Sequence, residues 1–214
     1  EWVMKTRTDQ RLYKEGFFSM MIALLEQFPV ADGFDQHRRI LGVGQGSLKY
    51  VPYHMTDQTL FGAMKDMLAF WDIPNKLEPA PEGWPQTNAE AFVQLSVREL
   101  MREAAPESRL CSGFLKRAGR KLDWTIVDHW MAVRDQLCFV DTSMVDFFWV
   151  KSQTSSRFEG MMGVSIDYGP TTNRKEIGFG EWMQLYTGAL PVEAGARFEP
   201  TLDRKFLEEV PVSG

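Results

Sequence analysis

Apolar residues recur at helical spacing in five stretches of the chain, and this period predicts five amphipathic helices. The predicted helices cover residues 9–28, 56–71, 87–105, 108–118 and 123–138. In the first of them Met20, Leu24 and Phe28 recur every four residues and form one apolar stripe. Asp123 is the predicted cap of the last helix, and residues 181–187 are expected to form one further short helix.

The segment from Ile40 to Tyr53 is glycine-rich and then β-prone, and further strand patterns appear after Phe139. The run 147–150 is predicted to be either a buried strand or the end of a short helix that begins near Asp141. Apolar residues then alternate with small or polar ones over 162–168 and 175–179, on either side of the turn-forming segment 169–173. This pattern predicts a C-terminal antiparallel hairpin. The predicted fold is therefore α+β and mostly helical.

The segment 73–87 holds four prolines and a glycine, a density that excludes regular structure. It is the best candidate for a domain boundary, as a linker or a surface loop. Because it is short and its Trp84 is expected to anchor it to the core, we predict a single compact domain over residues 1–214.

Composition places the chain among ordinary globular proteins, with 44% hydrophobic residues in 214. Its 24 basic and 29 acidic side chains give a net charge of −5, which argues against a surface that coats nucleic acid or an anionic membrane as a whole. No apolar run approaches the roughly 20 residues of a membrane span, and no secretory signal is recognised. We therefore expect a cytoplasmic protein, or one inside a virus or phage particle.

The glycine-rich segment 41–47 is the most prominent local motif. Closely spaced glycines let backbone amides gather around a phosphate, yet residues 48–52 cannot open the helix that a dinucleotide site needs. A turn between two short strands is the favoured interpretation. The candidate ligand-loop residues are Gly42, Gly44, Gly46 and His54.

No catalytic or metal-binding motif is recognised, so no catalytic residue, metal or cofactor is predicted. The three histidines lack metal-ligand spacing. Cys111 and Cys138 fall on apolar helix stripes and are predicted to be small core residues. An enzyme whose site assembles from scattered residues is the second alternative for function, with Tyr53, His54 and Asp57 as its candidates.

The segment 109–121 carries five basic residues and no acidic one. These residues are Arg109, Lys116, Arg117, Arg120 and Lys121. They form either a surface that contacts nucleic-acid phosphates or solvated helix ends that pair with nearby acids such as Asp123 and Asp128. A nucleic-acid-binding accessory factor is therefore the first alternative for function.

The leading hypothesis rests on 7 tryptophans and 12 methionines, residue types that are enriched at protein interfaces. Four tryptophans lie near element ends or in loops, where they either contact a partner or cover the core. They are Trp2, Trp84, Trp124 and Trp182. We expect a non-enzymatic protein-interaction or assembly subunit of a larger complex, of viral, phage or secretion type, with other protein subunits or further copies of itself as partners.

Overall fold

The computed structural model describes residues 1–43, 46–49, 51–72, 106–149, 154–155 and 176–189. Over these residues the chain is a mixture of helices and sheets, which confirms the α+β class. The strands are β1 (Trp2–Lys5), β2 (Gln10–Leu12), β3 (Ile40–Val43), β4 (Leu60–Ala63), β5 (Leu137–Val140), β6 (Phe147–Trp149) and β7 (Thr154–Ser155). The helices are α1 (Phe17–Gln27), α2 (Met64–Trp71), α3 (Pro106–Arg117), α4 (Ile126–Gln136), α5 (Thr142–Val145) and α6 (Phe179–Tyr186).

Two sheets organise these elements. The larger has the strand order β1-β4-β3-β5, with β3 and β5 parallel and the other pairs antiparallel. The smaller has the order β2-β6-β7. Strands β3, β4 and β5 are buried along their whole length, whereas every residue of β1 is only partly buried. None of the helices in the described parts of the chain is long and apolar enough to cross a membrane.

The first predicted helix is too long at its N-terminal end. Residues Gln10–Leu12 form β2 against β6, and α1 begins only after Gly16, which has a φ of 71°. That left-handed conformation suits glycine and interrupts a helix. The prediction extended the helix to residue 9 because Leu12 happens to lie on the apolar stripe of α1.

Only the C-terminal half of the second predicted helix is helical. Residues Leu60–Ala63 form β4 between β1 and β3, and α2 follows directly from Met64. A strand buried on both faces presents a continuous apolar run, which periodicity alone does not distinguish from a buried helix. Gly62 permits the close packing of α2, because a Cβ there would lie 3.2 Å from Met67 Cγ.

The two helices predicted within residues 108–138 are present, but with different ends. Helix α3 begins two residues earlier than predicted, and α4 ends at Gln136, because Leu137 and Cys138 already belong to β5. Instead of Asp123, the cap of α4 is Thr125, whose hydroxyl accepts a hydrogen bond from the Asp128 amide at 3.0 Å. Of the two alternatives for 147–150, the strand is confirmed, since Phe147–Trp149 form β6, whereas the short helix α5 that follows Asp141 ends at Val145. The last helix, α6, begins two residues earlier than predicted.

Three predicted features lie wholly or mostly outside the described residues. These are the helix 87–105, the proline-rich segment 73–87 and the first strand and turn of the C-terminal hairpin. Of the second hairpin strand, Glu176 forms an isolated antiparallel bridge with Leu48, and Phe179 already belongs to α6.

Candidate functional site

Strand β1 lies at an edge of the larger sheet, where among the described residues it pairs with β4 alone. In the ladder Trp2 is opposite Ala63 and Val3 is opposite Gly62. The ladder begins with the Met64 amide, which donates to the Glu1 carbonyl at 3.0 Å. In an antiparallel strand the main-chain groups of successive residues point to alternate sides. Val3 and Lys5 therefore share the β4 side with Glu1, and the N–H and C=O groups of Trp2 and Met4 point away from the sheet.

Aromatic side chains lie beside this edge. The indole of Trp2 stacks on Phe61, with ring centroids 5.6 Å apart and planes inclined by 8°. Phe18 meets the same Phe61 ring edge-on at 5.2 Å, and Phe17 contacts Phe18 at 5.1 Å. Phe61 is buried, whereas Phe18 is 40% exposed. We call Trp2, Phe17 and Phe18 the β1 aromatic surface. It places exposed aromatic side chains next to the sheet edge.

Lys5 ends β1, but its charge is turned back onto its own chain. Its ammonium donates to the Asp57 carbonyl and lies 5.0 Å from the centre of the Trp71 ring. Burial lowers the pKa of Lys5, and the charge of Asp57 offsets part of that effect. Natural sheets often protect an edge with an exposed lysine or a proline. Lys5 is held away from that role here.

The four tryptophans of the interaction hypothesis have different positions. Trp2 lies in the β1 aromatic surface, and Trp84 lies outside the described residues. Trp182 is fully buried and donates from its indole nitrogen to the Leu137 carbonyl at 2.8 Å, and Trp124 is only 7% exposed. The indole rings of Trp124 and Trp182 belong to the core of this chain, so neither is placed to contact a partner.

Trp124 is held in a strained position together with Tyr53. Both have positive φ, 58° and 56°, a conformation that large side chains rarely adopt. Their rings meet edge-on at 5.0 Å, and the Trp124 amide donates to the Tyr53 hydroxyl at 3.1 Å. That hydroxyl donates in turn to Asp128, and burial followed by this carboxylate raises the pKa of Tyr53 well above its ordinary value. Tyr53 therefore locks the loop before β4 onto α4.

His129 completes the same junction. Its Nδ1 accepts from the Tyr53 amide at 3.0 Å, and its Nε2 lies 3.1 Å from the Leu48 carbonyl. This pattern fixes a neutral ring with its proton on Nε2. Burial lowers the pKa of His129 to about 3.

The basic segment separates into one structural residue and four surface residues. Arg120 has only 8% of its side chain exposed and pairs with Asp128 at 2.8 Å and with Asp135 at 3.2 Å. Arg120 therefore belongs to an internal ion network, and pairing with Asp128 is the alternative that applies to it. The exposed members are Arg109, Lys116, Arg117 and Lys121.

The glycine-rich segment does not form one loop. Gly42 lies inside β3, where a Cβ would meet Met55 and Phe139 at 3.0 and 3.3 Å, and Gly44 lies outside the described residues. The Gly46 amide donates to a carboxylate oxygen of Glu176 at 2.8 Å. A carboxylate thus occupies the amide that a phosphate would need, and its charge disfavours a second anion there.

His54 lies near Gly46, as the sequence suggested, and faces the first turn of α3. Its Nε2 is 4.0 Å from Glu107 Oε2, while its Nδ1 is enclosed and has no hydrogen-bond partner among the residues that the structure describes. Burial lowers the pKa of His54, with Glu107 and the Gly46 backbone offsetting part of the shift. Tyr53, its neighbour, is committed to Asp128. Within the described ranges no group of three or more His, Cys, Asp and Glu side chains is arranged to hold a metal ion.

Sequence reasoning missed the β1 edge. Helical and alternating patterns need more than four residues, and β1 has only Trp-Val-Met-Lys. The available signal was three consecutive apolar residues between the opposite charges of Glu1 and Lys5.

Comparison of the chain with protein-family models, curated proteins and solved structures finds no match.

Proposed function

We propose that this chain is a protein-interaction subunit of a larger assembly and that it binds another polypeptide along the open edge of β1. The observation that carries the proposal is the outward direction of the Trp2 and Met4 main-chain groups in a strand with no second neighbour among the described residues. An extended segment that adds to such an edge gains main-chain hydrogen bonds from each outward-facing residue.

The side chains around β1 favour the same use. Phe18 exposes 40% of its surface next to the edge, and its ring is held by the buried Phe61 behind it. Rigid aromatic rings give large contact area at little cost in conformational entropy. An incoming strand would therefore find hydrogen-bonding groups and apolar area together.

The test is a proline that blocks the edge and leaves β1 in its own sheet. Met4→Pro removes an N–H that points outward, and proline is tolerated at edge positions of this kind. Met4→Ala is the matched control, because it shortens the same side chain and keeps the N–H. We expect the assembly purified from cells that make it to lose this subunit in the proline variant and to keep it in the alanine variant, as measured by native mass spectrometry.

Trp2→Pro gives a second test if Met4→Pro does not fold, and Trp2→Phe is its control, because it keeps both the N–H and an aromatic ring. Leu68→Ser is a further control, since Leu68 is 66% exposed but lies on α2. The proposal fails if a proline variant that circular dichroism shows to be folded enters the assembly as fully as the unaltered chain.

Nucleic-acid binding is a second candidate, favoured by the four cations that Arg120 leaves on the surface. Arg109 and Lys116 are seven residues apart on α3 and therefore share one face of it. Arg117 donates to the Ala69 carbonyl at 2.7 Å and remains exposed. Four phosphate contacts would give a slope of about −3 to −4 in log affinity against log salt concentration.

Anisotropy of labelled single- and double-stranded oligonucleotides tests this candidate. The double variant Lys116→Glu/Lys121→Glu should weaken binding and reduce the slope by about two. Arg11→Glu/Lys14→Glu makes the same change of charge at exposed residues around β2 and should not. Equal effects of the two double variants, or no binding at low salt, would exclude the candidate.

A further inference from the structure

We infer that the polypeptide paired with β1 is the β1 strand of a second copy of this chain, antiparallel and centred on Val3. The inference rests on the proposed function, since it names the occupant of the same edge. It would join two four-stranded sheets into one eight-stranded sheet related by a two-fold axis, the commonest symmetry of protein dimers.

The direction of the main-chain groups restricts the register. Among the described residues of β1, Trp2 and Met4 are the ones that offer N–H and C=O groups to a new neighbour. In an antiparallel pair these groups bond between residues that lie directly opposite each other. A copy of β1 must therefore place its own Trp2 or Met4 opposite these two residues.

The number of main-chain hydrogen bonds selects one register among the three that remain. With Trp2 opposite Met4 of the second copy, Met4 also lies opposite the Trp2 of that copy. Each of these two residue pairs exchanges two main-chain hydrogen bonds, which makes four. Within residues 1–5, pairing Trp2 with Trp2, or Met4 with Met4, uses one residue from each copy and makes two hydrogen bonds. The first register also places Val3 opposite Val3 and Glu1 opposite Lys5 of the second copy.

That register makes the strand complementary to itself. Glu1 and Lys5 stand at the two ends of the segment, so two pairs of opposite charge form across the dimer, and such cross-strand pairs are favourable. An ammonium has three N–H donors, and the bond from Lys5 to the Asp57 carbonyl uses one of them. Trp2 meets a methionine thioether, a favourable contact for an aromatic ring.

A cysteine at the two-fold axis tests the register. In the proposed pair the two Val3 Cα atoms are about 4.5 Å apart, within the range for a disulfide. The two Met4 Cα atoms are offset by two residues along the strands and so lie about 8 to 9 Å apart, beyond that range. The native Cys111 and Cys138 are both fully buried and do not compete.

We expect Val3→Cys to form a disulfide-linked dimer under mild oxidation, and Met4→Cys to form far less of it, as measured by non-reducing electrophoresis and intact mass. Equal cross-linking of the two variants, or none with Val3→Cys, overturns the inference. If Met4→Pro is lost from an assembly with a different protein and Val3→Cys stays monomeric, the β1 edge binds that other protein, and only the inference of a second copy fails. If neither variant has any effect, the proposed function fails with it.

A charge change provides a test that does not depend on the cysteine variant. Glu1 is exposed, and Glu1→Lys would oppose two lysines across the dimer, raising the dissociation constant about tenfold. Glu15→Lys makes the same change of charge at another exposed glutamate and should leave the dissociation constant unaltered. Sedimentation equilibrium that gives the two variants the same dissociation constant would contradict the proposed pairing.

Discussion

Replacing Arg120 by alanine should destabilise the protein more than any other change in the basic segment 109–121. The guanidinium lies between two carboxylates, Asp128 and Asp135, each with only 12% of its side chain exposed. It also donates to the Asp128 carbonyl at 3.3 Å and to Gln136 Oε1 at 3.4 Å. The substitution would leave both carboxylates with less compensation for their lost hydration.

The expected loss follows from the partners that remain. Breaking a buried ion pair from one side costs about 3–5 kcal/mol. Asp135 keeps Arg134 at 2.7 Å, and Asp128 keeps the Tyr53 hydroxyl and the Asp123 amide. Burial alone would raise the pKa of Asp128, and it is these hydrogen bonds together with Arg120 that lower it. We therefore expect the lower end of the range, about 3 kcal/mol.

Urea unfolding followed by tryptophan fluorescence measures the effect. For an m-value of about 2–3 kcal/mol/M, the loss shifts the midpoint by at least about 1 M. Lys116→Ala, an exposed cation on α3, should change the free energy of unfolding by less than about 0.5 kcal/mol. If Arg120→Ala cost no more than Lys116→Ala, Arg120 would have no structural role and would rejoin the cations available to a ligand.

Three further outcomes are expected. As the pH is lowered from 6.5 to about 3, His129 should reduce the free energy of unfolding by about 1.4 kcal/mol per pH unit, because its ring binds a proton in the unfolded chain but stays neutral when buried in the folded one. His129→Gln should flatten this pH dependence in urea titrations, and an unchanged slope would assign it to another group. Asp66→Ala should cost about 2–3 kcal/mol in thermal unfolding, since Asp66 accepts from the amides of His37 and Arg38 at 2.9 and 2.8 Å; a loss below about 0.5 kcal/mol would mean that water replaces the carboxylate. Cys111 and Cys138 should resist a thiol reagent until the chain unfolds, because burial raises the pKa of both thiols; rapid labelling of the folded protein would contradict their burial.

The elements that could be predicted from the sequence are those whose structure depends mainly on their own residues. Helices α3 and α4 each bury one apolar stripe, and α3 ends near Gly119, which has a φ of 91°. The end of α4 was missed because the helix runs directly into β5. Strand β4 was missed because its four residues are buried on both faces, a property conferred by β1 and β3 from distant parts of the chain.

The candidate site was predicted only in part, for a similar reason. Trp2 was identified as an interface residue from its type and its place near an element end, but its value comes from stacking on Phe61, which is far away in sequence. Trp182 was identified on the same two grounds, yet it is fully buried and its indole N–H donates to the Leu137 carbonyl. Residue type alone does not decide between these outcomes, because exposure is set by tertiary packing.

Amide hydrogen exchange at β1, measured residue by residue in the assembled and in the dilute isolated chain, shows whether another strand pairs with this edge. Val3 and Lys5 share hydrogen bonds with β4 and should be protected in both states. Trp2 and Met4 should exchange rapidly in the isolated chain and become protected on assembly, because an added strand takes up their N–H groups. Rapid exchange at Trp2 and Met4 in both states would contradict the account.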